Sequence, residues 1–104
     1  MIDTPRIRYN VTFCKLGPMR FISHLDLMRL FQRASRRADL PVTLTQGFSP
    51  HLKISIAKAL KLGVESPSEE ATFYMDKRVE PEVFKESINA QLPTGVQVVS
   101  AQEI

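Results

Sequence analysis

The sequence has little of what a metal or cofactor site requires. It contains one cysteine, Cys14, which excludes an internal disulfide and leaves no cysteine pair for a zinc site or an iron–sulfur cluster. Neither G-x-x-x-x-G-K-[ST] nor G-x-G-x-x-G occurs, so the two common phosphate-binding glycine loops are absent. We therefore expect neither a bound metal nor a cofactor.

Long hydrophobic runs are also missing. No apolar run approaches the roughly 18 residues that cross a bilayer, and the first residues, MIDTPRIRY, lack the apolar core of a secretory signal. The lone cysteine fits a reducing cytoplasm. With 104 residues, 43% hydrophobic and 24% charged, the chain has the size and composition of one globular domain. We expect a single cytoplasmic domain over residues 1–104, with no membrane partner.

Charge is abundant but unevenly distributed. Residues 1–61 carry eleven Lys/Arg against three Asp/Glu, a net charge of +8, whereas residues 62–104 carry three against eight, a net charge of −5. A basic half predicts a surface for an anionic partner such as RNA. The alternative is a dipolar surface with no partner, because charge asymmetry alone is a weak sign of nucleic-acid binding.

Hydrophobic periodicity predicts strands and helices in a definite order. Alternation predicts strands over 6–15, 53–60, 70–76 and 96–101, with a further short strand over 41–45 as an option. Ser23 is suited to cap a first helix, with Asp26 at its third position, and Pro81 fits the first turn of a second helix. Antiparallel hairpins and two crossovers predict an α+β fold, a ferredoxin-like split βαβ sandwich with both helices on one face of an antiparallel sheet.

The first predicted helix carries a row of arginines. At about 100° per residue, Arg29, Arg33 and Arg36 lie opposite the apolar face that contains Leu27 and Phe31. Arginine binds phosphate with two parallel hydrogen bonds, which makes it the residue expected on an RNA-facing helix. The alternative is a solvated polar face.

Two histidines are candidate functional residues. His24 is at the first helical position beside Arg20, where it would accept a proton or a hydrogen bond, or serve only a structural role. His51 ends the run Gly47-Phe48-Ser49-Pro50-His51, which would present Phe48 for stacking and His51 for acid–base chemistry. The alternative for this loop is a tight turn in which Phe48 fills the core.

The strand pairing decides whether the two histidines converge. The two histidines would converge if 41–45 and 53–57 formed a hairpin whose tip met the start of the first helix. If 53–60 paired with 70–76 instead, the loop that contains His51 would start from the opposite end of the sheet. We favour this second pairing.

Two familiar arrangements are disfavoured. Ser23, His24 and Asp26 contain the residue types of a catalytic triad, but on one helical turn their side chains point apart. An RNA-recognition motif needs aromatic residues on the exposed sheet face, whereas Tyr9 and Phe13 lie on the apolar, inward side of the first strand.

The run GPMRFISHLDLMRLFQRASRRADLPVTLTQGFSPHLKISIAKALKLGVES resembles the radical-SAM-linked domain of unknown function. That family has G-x-x-[RK]-F-I-S-H-L-D-L-M-R, then R-R-A-x-L-P-V, G-F-x-P-H-x-[RK]-I-S-F-A and L-G-V-E-S. The likeness extends in order from about Phe13 to Glu70. Four residues differ from those usual in the family: Thr45 replaces serine, Ser49 replaces asparagine, and Leu52 and Lys58 each replace proline.

The resemblance implies a bacterial cytoplasmic domain that occurs alone or joined to a radical-SAM protein, and it implies no known activity. Members usually extend further, which leaves open that this chain is the N-terminal part of a longer unit. The cluster cysteines of a radical-SAM enzyme are absent, so a partner would carry them.

The leading hypothesis is an RNA-binding or substrate-presenting accessory module for a radical-SAM partner, fused or separate, that modifies RNA or the ribosome. Its surface would be formed by Arg20, His24, Arg29, Arg33, Arg36, Gly47, Phe48, Ser49, His51 and Lys53. The alternatives are a metal-independent ribonuclease, with His24 or His51 as general base, and a pure protein-interaction module. Whether the chain is an enzyme stays open.

Overall fold

The computed structural model describes residues 7–59 and 61–104. In chain order the elements are β1 (Ile7–Lys15), a 3₁₀ helix (Gly17–Phe21), α1 (His24–Arg37), β2 (Ile54–Ile56), β3 (Ser66–Met75), α2 (Pro81–Asn89) and β4 (Val96–Glu103). The four strands form one antiparallel sheet in the order β2-β3-β1-β4. This order, with the two helices as crossovers, confirms the predicted α+β fold of the ferredoxin-like type.

Five aromatic rings connect both helices to the two central strands. Phe31 of α1 lies edge-on to Phe13 of β1 and to Phe73 of β3, with ring centroids 4.9 and 5.8 Å apart. Phe84 of α2 contacts Phe73 at 5.1 Å and stacks on Tyr9 at 5.6 Å. Because Phe73 contacts rings from both helices, α1 and α2 pack on the same face of the sheet. Neither α1 nor α2 covers the other face.

Local sequence signals fix the helix starts as predicted. The Ser23 side chain accepts a hydrogen bond from the backbone N–H of Asp26 at 3.1 Å, which satisfies one of the unpaired donors of the first turn. Pro81 is in the first turn of α2, where its missing N–H costs no hydrogen bond. Asn89 then joins the end of α2 to β4, because its side chain exchanges two hydrogen bonds with the backbone of Val98.

The boundaries of β2 and β3 differ from prediction. The strand predicted over 53–60 is only Ile54–Ile56, and the last rung to β3 is the hydrogen bond from Ala57 N to Glu70 O. The strand predicted over 70–76 begins earlier, at Ser66, because that residue pairs with Lys15 of β1. The register shift between Phe13 and Lys15 accommodates Pro67, which has no N–H to donate to β1. The missing N–H does not affect β2, because β2 pairs only with residues 71–73 of β3.

The segment predicted as an optional strand over 41–45 makes only two isolated bridges, from Val42 to Met75 and from Leu44 to Leu52. Residues 42–53 therefore form a short hairpin that immediately precedes β2 in the chain. No helix in the described part of the chain is long and apolar enough to cross a membrane.

The ring contacts predict unequal costs for removing two phenylalanines. Phe31 is fully buried, so Phe31→Ala leaves a cavity and should lower the free energy of unfolding by about 3–5 kcal/mol. Phe48 is fully exposed, so Phe48→Ala should change it by about 0.5 kcal/mol or less. Urea unfolding of both variants measures the difference, and equal losses would contradict this account of the core.

Candidate functional site

The arginines of α1 lie together on its outer surface. The buried side of the helix is formed by Leu27, Phe31, Ala34 and Ser35. Arg29, Arg33 and Arg36 are exposed, and together with Gln32 they line a shallow depression of about 220 Å³. We call this surface, Arg29, Gln32, Arg33 and Arg36, the arginine face.

Few carboxylates among the described residues pair with the arginines of this face. Arg29 lies 3.6 Å from an Asp26 carboxylate oxygen, and both side chains are well exposed to solvent. An exposed pair of this kind contributes little, so it does not prevent Arg29 from binding another anion. Within residues 7–59 and 61–104, Arg33 and Arg36 form no ion pair. The face therefore presents guanidinium groups available for an external ligand.

The predicted loop is the tip of the hairpin over residues 42–53. Thr45 N donates to His51 O at 2.7 Å and Lys53 N donates to Thr43 O at 2.7 Å, which closes the hairpin. Gly47 has a φ of +129°, a conformation that side-chain-bearing residues rarely adopt. Phe48 projects entirely into solvent, so the alternative in which it fills the core is wrong.

His51 is held by contacts inside this hairpin. Its backbone N–H donates to Thr45 Oγ1 at 3.1 Å, and its Nδ1 lies 3.2 Å from Ser49 O. A hydrogen on Nδ1 would be donated to Ser49 O, whereas a bare Nδ1 would accept from the Thr45 hydroxyl, whose Oγ1 lies 3.4 Å away. Both contacts use Nδ1, so Nε2 is the ring nitrogen left for an outside group. The ring is exposed, and its immediate contacts are polar.

The two histidines lie at opposite ends of the sheet. Ile54 pairs with Phe73, which pairs in turn with Tyr9, so the hairpin before Ile54 lies at the starting end of β1. His24 follows the other end of β1, after the 3₁₀ helix. The favoured pairing of β2 with β3 is confirmed, and the histidines do not converge into one site.

The predicted surface thus separates into four parts, of which Lys53 alone forms the last. Arg29, Arg33 and Arg36 run along α1, whose last turn lies at the hairpin end, and the hairpin itself carries Gly47, Phe48, Ser49 and His51. At the far end are Arg20 and His24. The Arg20 Nη1 donates to Gly17 O at 2.8 Å, and its guanidinium carbon lies 4.3 Å from the Phe21 ring centroid.

Lys53 lies on the face of the sheet that no helix covers. Its Nζ is 4.5 Å from the ring centroid of Tyr74, a residue that alternates with the inward-facing Phe73 and Met75. Lys53 and the arginine face therefore point to different sides of the molecule. A single flat ligand could not contact both.

Sequence reasoning overlooked Lys15. Its side chain is 1% exposed, and its ammonium donates to Arg20 O at 3.3 Å and to Lys61 O at 2.9 Å. A signal existed, because Lys15 has the same parity in β1 as the inward residues Tyr9, Val11 and Phe13. Among the described residues, no three His, Cys, Asp or Glu side chains lie close enough together to hold a metal ion.

Comparison with known families gives one match. A family model described as "Uncharacterized protein conserved in bacteria (DUF2344)" matches residues 8–104, which is nearly the whole chain. The chain belongs to this family. The DUF2344 match includes α1, the hairpin and all four strands, so every group of the candidate surface lies within the family's domain. Among curated proteins, none matches the sequence.

The cap assigns Ser23 a structural role that can be measured. Ser23→Ala removes the acceptor of the Asp26 N–H and should lower the free energy of unfolding by about 1 kcal/mol. Ser23→Asp should retain most of the stability, because aspartate also accepts this hydrogen bond. Ser49→Ala, at an exposed loop serine, is the matched control. Urea unfolding in which Ser23→Ala and Ser49→Ala behave alike would contradict the capping role.

Proposed function

We propose that this DUF2344 domain binds RNA through the arginine face of α1. The observation that carries the proposal is the row of exposed guanidinium groups at 29, 33 and 36, which the carboxylates of the described residues leave largely unpaired. A helix rises about 1.5 Å per residue, so consecutive members of the row are offset by about 6 and about 4.5 Å along the axis. Guanidinium groups at these axial offsets suit the successive phosphates of an RNA strand that runs along the helix.

The acidic residues of the second helix support this orientation. α2 carries Glu82 and Glu86 on exposed positions, and Lys85 approaches Glu82 only at 4.0 Å. Carboxylates repel a phosphate backbone, so an RNA strand would lie over α1 and away from α2. In the helical layer, α1 thus carries four arginines and one aspartate, whereas α2 carries two glutamates and one lysine.

The hairpin adds an aromatic contact to this surface. α1 ends at Arg37, and Pro41 and Val42 then join the chain to the end of β3, so the hairpin begins at the same end of the sheet. In the proposal, Phe48 stacks on an unpaired base beyond the arginine face. His51 forms a hydrogen bond through Nε2. Stacking on an exposed aromatic ring is the usual way in which proteins hold single-stranded bases.

The wider role that we propose is that of an accessory module. The likeness of the sequence to radical-SAM-linked domains supports a partner that modifies RNA or the ribosome, with this domain binding or presenting the substrate. One cysteine is too few for an iron–sulfur cluster, so the partner would provide the radical chemistry. The arginine face is the part of this role that can be tested without the partner.

A charge-matched pair of variants tests RNA binding. The first replaces Arg29, Arg33 and Arg36 by Gln, and the second replaces Lys77, Arg78 and Lys85, the three cations of residues 62–104, by Gln. Both remove three positive charges. Labelled tRNA or ribosomal RNA is titrated at about 50 and about 200 mM salt, where phosphate contacts weaken steeply.

Only the first variant should lose affinity. The plot of log affinity against log salt should become less steep by about 2, because three phosphate contacts to a single strand are lost and each contributes about 0.7 to the steepness. Equal losses in the two variants would mean that net charge alone attracts RNA. Absence of wild-type binding at low salt would reject the proposal.

A separate variant tests the hairpin. Phe48→Ala should weaken binding to single-stranded RNA by about 1–3 kcal/mol, because it removes one stacked ring. Phe48→Tyr keeps the ring and should bind like wild type. The same titration with a fully paired RNA duplex should not distinguish the variants, since its bases are already stacked. A loss of affinity for the duplex equal to that for the single strand would reject stacking.

A further inference from the structure

A small apolar patch is exposed at the end of the molecule farthest from the hairpin. Phe21, Leu62 and Val64 are 57%, 64% and 52% exposed, and we call them the Phe21 patch. Gly63, between the last two, donates its backbone N–H to Arg20 O at 2.6 Å. A Cβ on Gly63 would lie 3.6 Å from the Phe21 ring, so the segment around Gly63 packs against the end of the 3₁₀ helix. Leu62 and Val64 flank Gly63, and the three side chains therefore lie around this one contact.

The buried ammonium of Lys15 holds both segments in place. Its two acceptors, Arg20 O and Lys61 O, belong to the residues immediately before Phe21 and Leu62. A fully buried lysine is rare, and here its ammonium is satisfied by backbone carbonyls. The apolar side chains are therefore presented to solvent by a fixed backbone. Such preorganisation lowers the entropy cost of binding.

A depression whose rim carries two lysines and two glutamates adjoins the patch. It measures about 270 Å³ and is lined by Lys58, Ala59, Lys61, Val64, Glu65, Ser66 and Glu69. Glu65 already accepts from Gly17 N at 2.6 Å, and Glu69 accepts from the Ser66 hydroxyl. In the described part of the chain, neither Lys58 nor Lys61 has an ion-pair partner. Glu65 and Glu69 keep their negative charge, but their hydrogen bonds occupy part of their capacity to accept from a ligand. The two unpaired ammonium groups are the charged groups of the rim that an external ligand can pair with.

We propose that the Phe21 patch and this depression form a docking site for an acidic, apolar peptide segment of a partner protein. Leucine-like side chains of the segment cover Phe21, Leu62 and Val64, and a carboxylate of the segment lies between Lys58 and Lys61. The match of apolar to apolar and of carboxylate to ammonium determines this choice of occupant. The site is separate from the arginine face, so the inference goes beyond RNA binding and stands without it.

A random dodecapeptide library displayed on phage and selected against the purified chain provides the probe. The enriched peptides, synthesised with a fluorophore, are titrated against wild type, Leu62→Ser and Lys61→Glu. Val83→Ser, at an exposed valine of α2, and Lys77→Glu are the matched controls. Circular dichroism and the urea midpoint establish that each variant is folded, and Val64→Ser replaces Leu62→Ser if that variant is not.

The expected peptides combine leucine, isoleucine or phenylalanine with aspartate or glutamate. Leu62→Ser and Lys61→Glu should each weaken their binding by roughly tenfold, as expected for central contacts of an interface, and the control variants should not. RNA titration of Leu62→Ser should match wild type. A protein that binds peptide but no RNA would support this site while rejecting the proposed function.

Several results would overturn the docking site. They include a selection without enrichment, enriched peptides that lack acidic residues, and peptides that bind the patch variants as tightly as wild type. Sedimentation equilibrium in which wild type self-associates and Leu62→Ser does not would instead assign the patch to a second copy of the chain. Binding to vesicles of phosphatidylcholine and phosphatidylserine that Leu62→Ser abolishes would assign it to a lipid surface.

Discussion

The chain of aromatic contacts from Phe13 through Phe31, Phe73 and Phe84 to Tyr9 is the interaction on which the rest of the structure depends. It joins α1 and α2 to β1 and β3, the two central strands, and it fixes the rotation of each helix about its own axis. The proposed RNA surface follows from this constraint. With Phe31 packed between two rings of the sheet, the opposite side of α1 must face solvent, and that side carries the arginines.

The two ends of the sheet have different chemistry. At one end the last turn of α1 and the hairpin offer guanidinium groups and an exposed ring, which suit a nucleic acid. At the other end, Lys15 holds together two segments that present apolar side chains beside two lysines. The proposed RNA surface and the proposed peptide site share no residue, although Arg29, in the second turn of α1, lines one depression with Met19 and Ile22, which lie on either side of Phe21 in the sequence.

Much of the fold could be predicted because its signals are local. The caps at Ser23 and Pro81 and the inward faces of β1 and α1 depend on residues within a few positions of one another. The lengths of β2 and β3 could not be predicted in the same way. β3 begins at Ser66 because β1 continues far enough to pair with it, and β2 ends at Ile56 where its rungs to β3 end. A strand's length depends on its neighbour as well as on its own sequence.

By itself, the sequence determined which side chains point inward and which residues lie on the outer face of α1, because alternation and helical periodicity are properties of the local chain. Only the tertiary structure decided which of these residues meet. It placed His51 and His24 at opposite ends, set Lys53 on the helix-free face, and brought Lys61 O to the ammonium of Lys15, 46 residues away in the sequence. Those outcomes depend on strand order and register, which arise from long-range packing and leave no periodic signal in the sequence.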